Sequence, residues 1–82
     1  NPFRRSTTFE LLVPRREWAR LDLFDLQGRL VRTLVNTMLE AGVTRVTWSP
    51  GTAEGSALAG GIYFARFATR ETVITRKVLL VR

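Results

Sequence analysis

The chain contains no cysteine and no histidine among its 82 residues. Without cysteine, the sequence cannot form a disulfide, a thiol nucleophile or a thiolate metal site. Without histidine, it also lacks the commonest general base and the commonest metal ligand. We therefore expect a protein that is not an enzyme and that needs neither a metal nor a cofactor.

Long apolar runs are also absent, since no segment approaches the ~20 residues of a membrane span. The first residues, Asn1-Pro2-Phe3-Arg4-Arg5, are polar and do not have the pattern of a signal peptide. The 45% hydrophobic content is typical of a globular fold. We interpret residues 1–82 as a single domain from a larger protein whose remaining parts lie on the N-terminal side.

Lysine is nearly missing, because Lys77 is the only one in a chain with 13 basic residues and a net charge of +6. The planar guanidinium of arginine suits phosphate and carboxylate groups, which favours an anionic partner such as nucleic acid, phosphorylated lipid or acidic polysaccharide. The arginines are scattered rather than clustered. The codon composition or thermal adaptation of the source organism therefore explains their number equally well.

The acidic and hydroxyl side chains show no catalytic arrangement. Asp22 and Asp25 are three residues apart on an expected strand, so they point to opposite faces. We expect structural roles: Asp25 opens the turn before Gly28, and Asp22 is solvated or paired with an arginine. Gly60-Gly61 is not a phosphate loop, because no lysine and no helix follow it.

Apolar and polar residues alternate with a period of two along most of the chain, which predicts strands. Three alternating sets are Phe9/Leu11/Val13, Ala19/Leu21/Leu23 and Thr44/Val46/Trp48, and three further strand segments are residues 30–35, 62–67 and 73–82. A helix over residues 26–39 is disfavoured by the β-branched Val31, Thr33 and Val35. Residues 49–61 are expected to form the longest loop. Such short strands predict an all-β sandwich or a small barrel.

The aromatic residues raise a second possibility, a carbohydrate-binding module of a polysaccharide-degrading enzyme. The rings that could form a platform are Trp18, Trp48, Tyr63, Phe64 and Phe67. The alternation places Trp48 and Phe64 in the core, which leaves Trp18 as the exposed ring. A barrel that binds nucleic acid has only the scattered arginines in its favour, and we expect no nucleic-acid partner.

The order of segments is more specific than any single motif. It runs NPF at 1–3, STTFELLVP at 6–14, ARLDLFDLQGRLVRTLV at 19–35, AGVTRVTW at 41–48, GGIYFARF at 60–67 and TRKVLLVR at 75–82. Over essentially its whole length the chain resembles the type A C-terminal sorting domain of proteins exported by the type IX secretion system of Bacteroidetes. It is also similar to the immunoglobulin-like domain of the flagellar hook-capping protein, which suggests an assembly domain as a third reading.

The chain departs from the family pattern at two points. Arg4-Arg5 stands where the family usually has a second asparagine-proline pair, so the first turn is expected to differ. Trp48-Ser49-Pro50-Gly51 replaces a Trp-Asp-Gly segment that is followed by acidic residues, so no acidic or cation-binding loop is expected.

The resemblance implies an immunoglobulin-like antiparallel β-sandwich of six to seven strands. It implies a secretion signal and surface anchor for a covalently linked N-terminal cargo, such as a glycoside hydrolase or protease. The implied partners are the outer-membrane secretion machinery and anionic lipopolysaccharide, and the implied location is the cell surface, reached through the periplasm.

The final strand is the expected recognition element, read by strand addition and by its basic side chains. The proposed recognition residues are Gly61, Ile62, Tyr63, Arg76, Lys77, Val78, Leu79, Leu80, Val81 and Arg82. The period of two predicts that Val78 and Leu80 face the core, whereas Lys77, Leu79 and Val81 face outward.

Overall fold

The computed structural model describes residues 2–3, 5–50 and 58–81, and this part of the chain contains seven strands and no helix. The strands are β1 (Pro2–Phe3), β2 (Thr7–Val13), β3 (Glu17–Phe24), β4 (Leu30–Leu39), β5 (Gly42–Trp48), β6 (Gly61–Ala68) and β7 (Val73–Leu80). Accordingly, no helix in the described ranges is suited to crossing a membrane.

The strands form two sheets. The large sheet has the order β1-β7-β6-β3-β4, and the small sheet consists of β2 and β5. Every pairing is antiparallel except that of β1 with the end of β7, where Pro2 lies opposite Leu79. The predicted all-β sandwich of six to seven strands is confirmed, with this short parallel pairing as an addition.

The core lies between the two sheets and follows the predicted alternation. Ala19, Leu21 and Leu23 of β3 are at most 1% exposed, and Leu11 and Val13 of β2 face them from the small sheet. The remaining buried apolar residues are Val35, Leu39, Trp48, Tyr63, Ala65, Phe67, Val78 and Leu80. One contiguous core therefore joins both sheets.

The turn between β3 and β4 is organised by Asp25, as the sequence predicts. Its Oδ1 accepts hydrogen bonds from the backbone amides of Gln27 at 3.0 Å and Arg29 at 2.9 Å. Gly28 adopts a φ of 85° in this turn, a conformation that a side chain would strain. The amide and guanidinium of Arg29 hold the pKa of Asp25 below its ordinary value of 3.8.

Three features differ from the sequence prediction. β4 continues to Leu39, beyond the expected end at residue 35. Two bulges in β4 maintain its pairing with the whole length of β3. Phe64 does not enter the core, because Tyr63, Ala65 and Phe67 occupy the inner face of β6. Residues 51–57 of the expected long loop lie outside the described residues.

Candidate recognition site on the final hairpin

The β6–β7 hairpin brings most of the predicted recognition residues together. Gly61 lies opposite Leu80, Ile62 opposite Leu79, and Tyr63 opposite Val78. The two segments are separated in sequence but adjacent in the sheet, at the end of the hairpin far from its turn. The structure thus brings residues 61–63 next to residues 78–80.

Three of these residues are unavailable to a partner in the folded protein. Tyr63, Val78 and Leu80 are 6%, 3% and 1% exposed. The Tyr63 hydroxyl also donates a hydrogen bond to the carbonyl oxygen of Ala59 at 2.6 Å. All three side chains face inward on the alternating pattern and fix the hairpin to the core, so any contact with a partner depends on the outward-facing residues of the hairpin.

The outward-facing side chains form an apolar surface. Ile62 and Leu79 lie side by side and are 36% and 38% exposed. Phe64 lies on the same face of β6 as Ile62 and is paired with Lys77 of β7. On its other side Phe64 is paired with Phe24 of β3, which is paired in turn with Leu30 of β4. We call Ile62, Leu79, Phe64, Phe24 and Leu30 the outer apolar patch.

The sequence prediction missed the contribution of Phe24, Phe64 and Leu30 to this surface. The alternation in β3 does contain the necessary signal for Phe24, because the buried Leu21 and Leu23 leave it on the opposite face. The missing information is the pairing of β6 with β3, which places Phe64 beside Phe24. Local periodicity assigns a face but does not specify which strands are neighbours.

Two cations flank the outer apolar patch. The guanidinium of Arg66 lies 5.7 Å from the centroid of the Phe24 ring, and Lys77 stands next to Phe64. In the described ranges, the five ion pairs involve Arg15, Arg16, Arg20, Arg29 and Arg45, and none includes Arg66 or Lys77. An apolar surface with unneutralised cations suits an acidic protein surface or an anionic amphiphile.

The edge of β7 is only partly open. β1 pairs with Leu79 and Leu80, so the backbone edge at these two residues is already occupied. Strand addition to this edge of β7 would therefore involve the residues before Leu79. Val81 follows β7 and is half-buried, and Arg82 lies outside the described residues.

Trp18 is the one exposed ring among the aromatic side chains that the structure describes, as the sequence predicts. It is 48% exposed, and its Nε1 donates a hydrogen bond to Oδ1 of Asn36 at 3.0 Å. The nearest aromatic residue on the same face of β3 is Phe24, six positions or about 20 Å away along the strand. These rings therefore do not form the two-ring platform expected of a flat glycan-binding face.

Comparison with known proteins identified no relative: no protein-family model matches the chain, and neither a curated protein nor a solved structure matches it. The described residues also contain no group of three or more acidic side chains that could hold a metal ion.

Proposed function

We propose that this chain is a C-terminal sorting and anchoring module. In this role it directs a covalently attached, exported hydrolytic protein through the type IX secretion system to the cell surface. The ordered sequence segments that resemble the sorting-domain family support the proposal, and so does the two-sheet architecture. The immunoglobulin-like character of the sandwich belongs to the same proposal.

The observation that carries the proposal is the outer apolar patch at the end of the final hairpin. Ile62 and Leu79 lie side by side. Tyr63, Val78 and Leu80 of the same two strands pack into the core and fix the position of this pair. Covering each exposed aliphatic side chain contributes about 1–2 kcal/mol to binding. Lys77 and Arg66 add attraction toward an acidic receptor or the phosphates of lipopolysaccharide.

The test uses a secreted reporter fused in front of residues 1–82 in a bacterium with a type IX system. Leu79→Ser combined with Lys77→Glu is expected to lower the exported fraction about tenfold, because a loss near 1.4 kcal/mol changes binding by that factor. Reporter that accumulates in the periplasm supports the proposal.

The matched control combines Leu26→Ser with Arg70→Glu. Leu26 is 64% exposed in the β3–β4 turn, and Arg70 is exposed in the β6–β7 turn. Both double variants must melt within a few degrees of the parent. Equal export of the parent and the Leu79/Lys77 variant would refute the proposal. Deleting residues 77–82 should also block export, but that deletion removes the core residues Val78 and Leu80.

The second candidate is a carbohydrate-binding module, favoured by the exposure of Trp18 and by its polar neighbours Asn36 and Arg70. Isothermal titration against xylan and cellulose separates the two candidates. A sorting module is expected to bind neither polymer. Binding that is lost in Trp18→Ala would favour the second candidate.

A further inference from the structure

The inner face of β7 is covered over only part of its length. Alternation places Ile74 and Arg76 on the same face as the buried Val78 and Leu80. Val78 is 3% exposed, whereas Ile74 is 39% exposed and Arg76 is exposed as well. The small sheet, with two strands, is therefore too narrow to cover the first half of β7.

An open groove of about 500 Å³ lies at this position. It is bounded by β2 on one side and by Ile74 and Arg76 of β7 on the other. Its remaining lining includes the core residues Leu21, Ala65 and Phe67. A partner entering the groove would reach apolar surface that belongs to the sandwich interior.

The strand beside the groove is an edge strand of the small sheet among the described residues. β2 pairs only with β5 in the part of the chain that the structure describes, so its other edge presents free backbone groups over Thr7–Val13. This edge has no proline and no bulge, two of the features that prevent strand addition. β4, at the far edge of the large sheet, does carry two bulges.

The charge in the groove is positive and available. Arg76 contacts the carbonyl oxygen of Thr75 at 3.4 Å and has no acidic partner among the described residues. Glu10, the carboxylate on β2, is already paired with Arg45 at 3.0 Å. The groove therefore complements a negatively charged side chain.

We propose that the groove binds an extended segment of a partner protein, which pairs with the free edge of β2 as a third strand of the small sheet. The inward side chains of this segment are apolar, except for a carboxylate that meets Arg76. Seven paired residues span about 23 Å, which matches the length of β2. This inference goes beyond the sorting role and does not depend on it.

The test uses the 82-residue chain and a capped synthetic peptide, Val-Thr-Val-Thr-Glu-Thr-Val-Thr-Val. Titration of the isotopically labelled protein should give saturable NMR shift changes in β2 and in residues 74–78. Amides on the free edge of β2 should become protected from hydrogen exchange. Absence of binding at millimolar peptide, or shift changes centred on another surface, would overturn the proposal.

Two control peptides separate the parts of the proposed contact. N-methylation of alternate amides removes backbone donors, and it should abolish binding if pairing with a strand edge supplies the affinity. Replacing the central glutamate by glutamine should weaken binding about tenfold, since a charge-assisted hydrogen bond contributes more than 1.4 kcal/mol. Unchanged binding of either peptide would overturn the corresponding part of the assignment.

Protein variants test the role of Arg76. Arg76→Glu should weaken binding of the glutamate peptide about tenfold. The same variant should bind a peptide with lysine at the central position more tightly than the parent does. Arg70→Glu makes the same charge change at the β6–β7 turn and should leave both affinities unchanged. Equal effects of the two variants would mean that net charge, rather than the groove, governs binding.

A second copy of the chain is the competing occupant. Light scattering at high protein concentration should give a monomer, and the peptide should bind without dissociating an oligomer. A dimer with protected β2 amides would overturn the assignment of a partner segment. Because this assay uses purified protein, failure here leaves the export test of Leu79 and Lys77 unaffected, and failure of export leaves peptide binding measurable.

Discussion

Trp48 and Tyr63 meet edge to face, with ring centroids 5.5 Å apart and planes inclined by 75°. Trp48 is the last residue of β5 in the small sheet, and Tyr63 lies in β6 of the large sheet. The contact therefore joins the two layers directly beneath the end of the final hairpin. It supports the position from which Ile62 and Leu79 face outward.

Removal of this contact should destabilise the whole fold. Trp48 is fully buried, so Trp48→Ala should lower the free energy of unfolding by about 3–5 kcal/mol. Tyr63→Phe keeps the ring but removes the hydrogen bond to Ala59, and should cost about 1 kcal/mol. Urea denaturation followed by circular dichroism measures both changes. If Tyr63→Phe cost as much as Trp48→Ala, the hydroxyl rather than the ring contact would hold the layers together.

Asp22 should stabilise the outer face of the large sheet. Its carboxylate is buried and accepts hydrogen bonds from Nε of Arg20 at 2.8 Å and from the Thr33 hydroxyl at 2.7 Å. Asp22→Ala should cost about 1–3 kcal/mol, because it removes two hydrogen bonds to a carboxylate. Thermal unfolding of Asp22→Ala, Thr33→Val and the double variant measures the coupling. Strict additivity would show that the hydrogen bond between Asp22 and Thr33 contributes no stability.

The Asp25 turn should make part of the stability dependent on pH. The folded-state pKa lies below the ordinary value of 3.8, chiefly because the backbone amide of Arg29 donates to the carboxylate. The ionised form is therefore favoured by folding. This stabilisation is present above pH 3.8 and is lost as the pH falls through the lower folded pKa.

Asp25→Asn retains an oxygen acceptor but loses the charge, so it isolates the pH-dependent part. The parent should be more stable than the variant near pH 6, and the difference should shrink as the pH falls below 3.8. Denaturant titrations at several pH values measure this convergence. A difference that stays constant over the range would show that the ionisation of Asp25 is not linked to folding.

The sequence predicted what period-two alternation determines, namely which residues of a strand share a face. The alternation correctly predicted the burial of Leu21 and Val78 and the outward position of Leu79. The prediction from the alternation that Phe64 lies in the core was wrong, because Tyr63, Ala65 and Phe67 occupy the inner face of β6. The expected pairing of Asp22 with an arginine is confirmed by its contact with Arg20, but the sequence did not predict that Asp22 is buried on the outer face. Burial there depends on Arg20 and Thr33, and the pairing with Thr33 is set by a bulge in β4.

The same limit applies to the candidate sites. The ladder between residues 61–63 and 78–80 follows from a hairpin and is visible in the local pattern. The groove beside β2 depends instead on how many strands each sheet contains and on which edges remain unpaired. These are long-range properties, and no single segment of the sequence encodes them.

Leu79 and Leu80 allow the two roles of the final strand to be separated with one substitution. Leu80 is 1% exposed and Leu79 is 38% exposed, although they are adjacent in the chain. Leu80→Ala should lower the free energy of unfolding by about 2–5 kcal/mol, because it leaves a cavity in the core. Leu79→Ala should change stability by about 0.5 kcal/mol or less, as is usual for surface positions. Urea denaturation of the two variants should show a stability loss only for Leu80→Ala. The fused reporter, assayed in parallel, should show an export loss with intact folding only for Leu79→Ala. If Leu79→Ala melted as early as Leu80→Ala, the outward face of β7 would be part of the structural core, and its export defect would no longer indicate recognition.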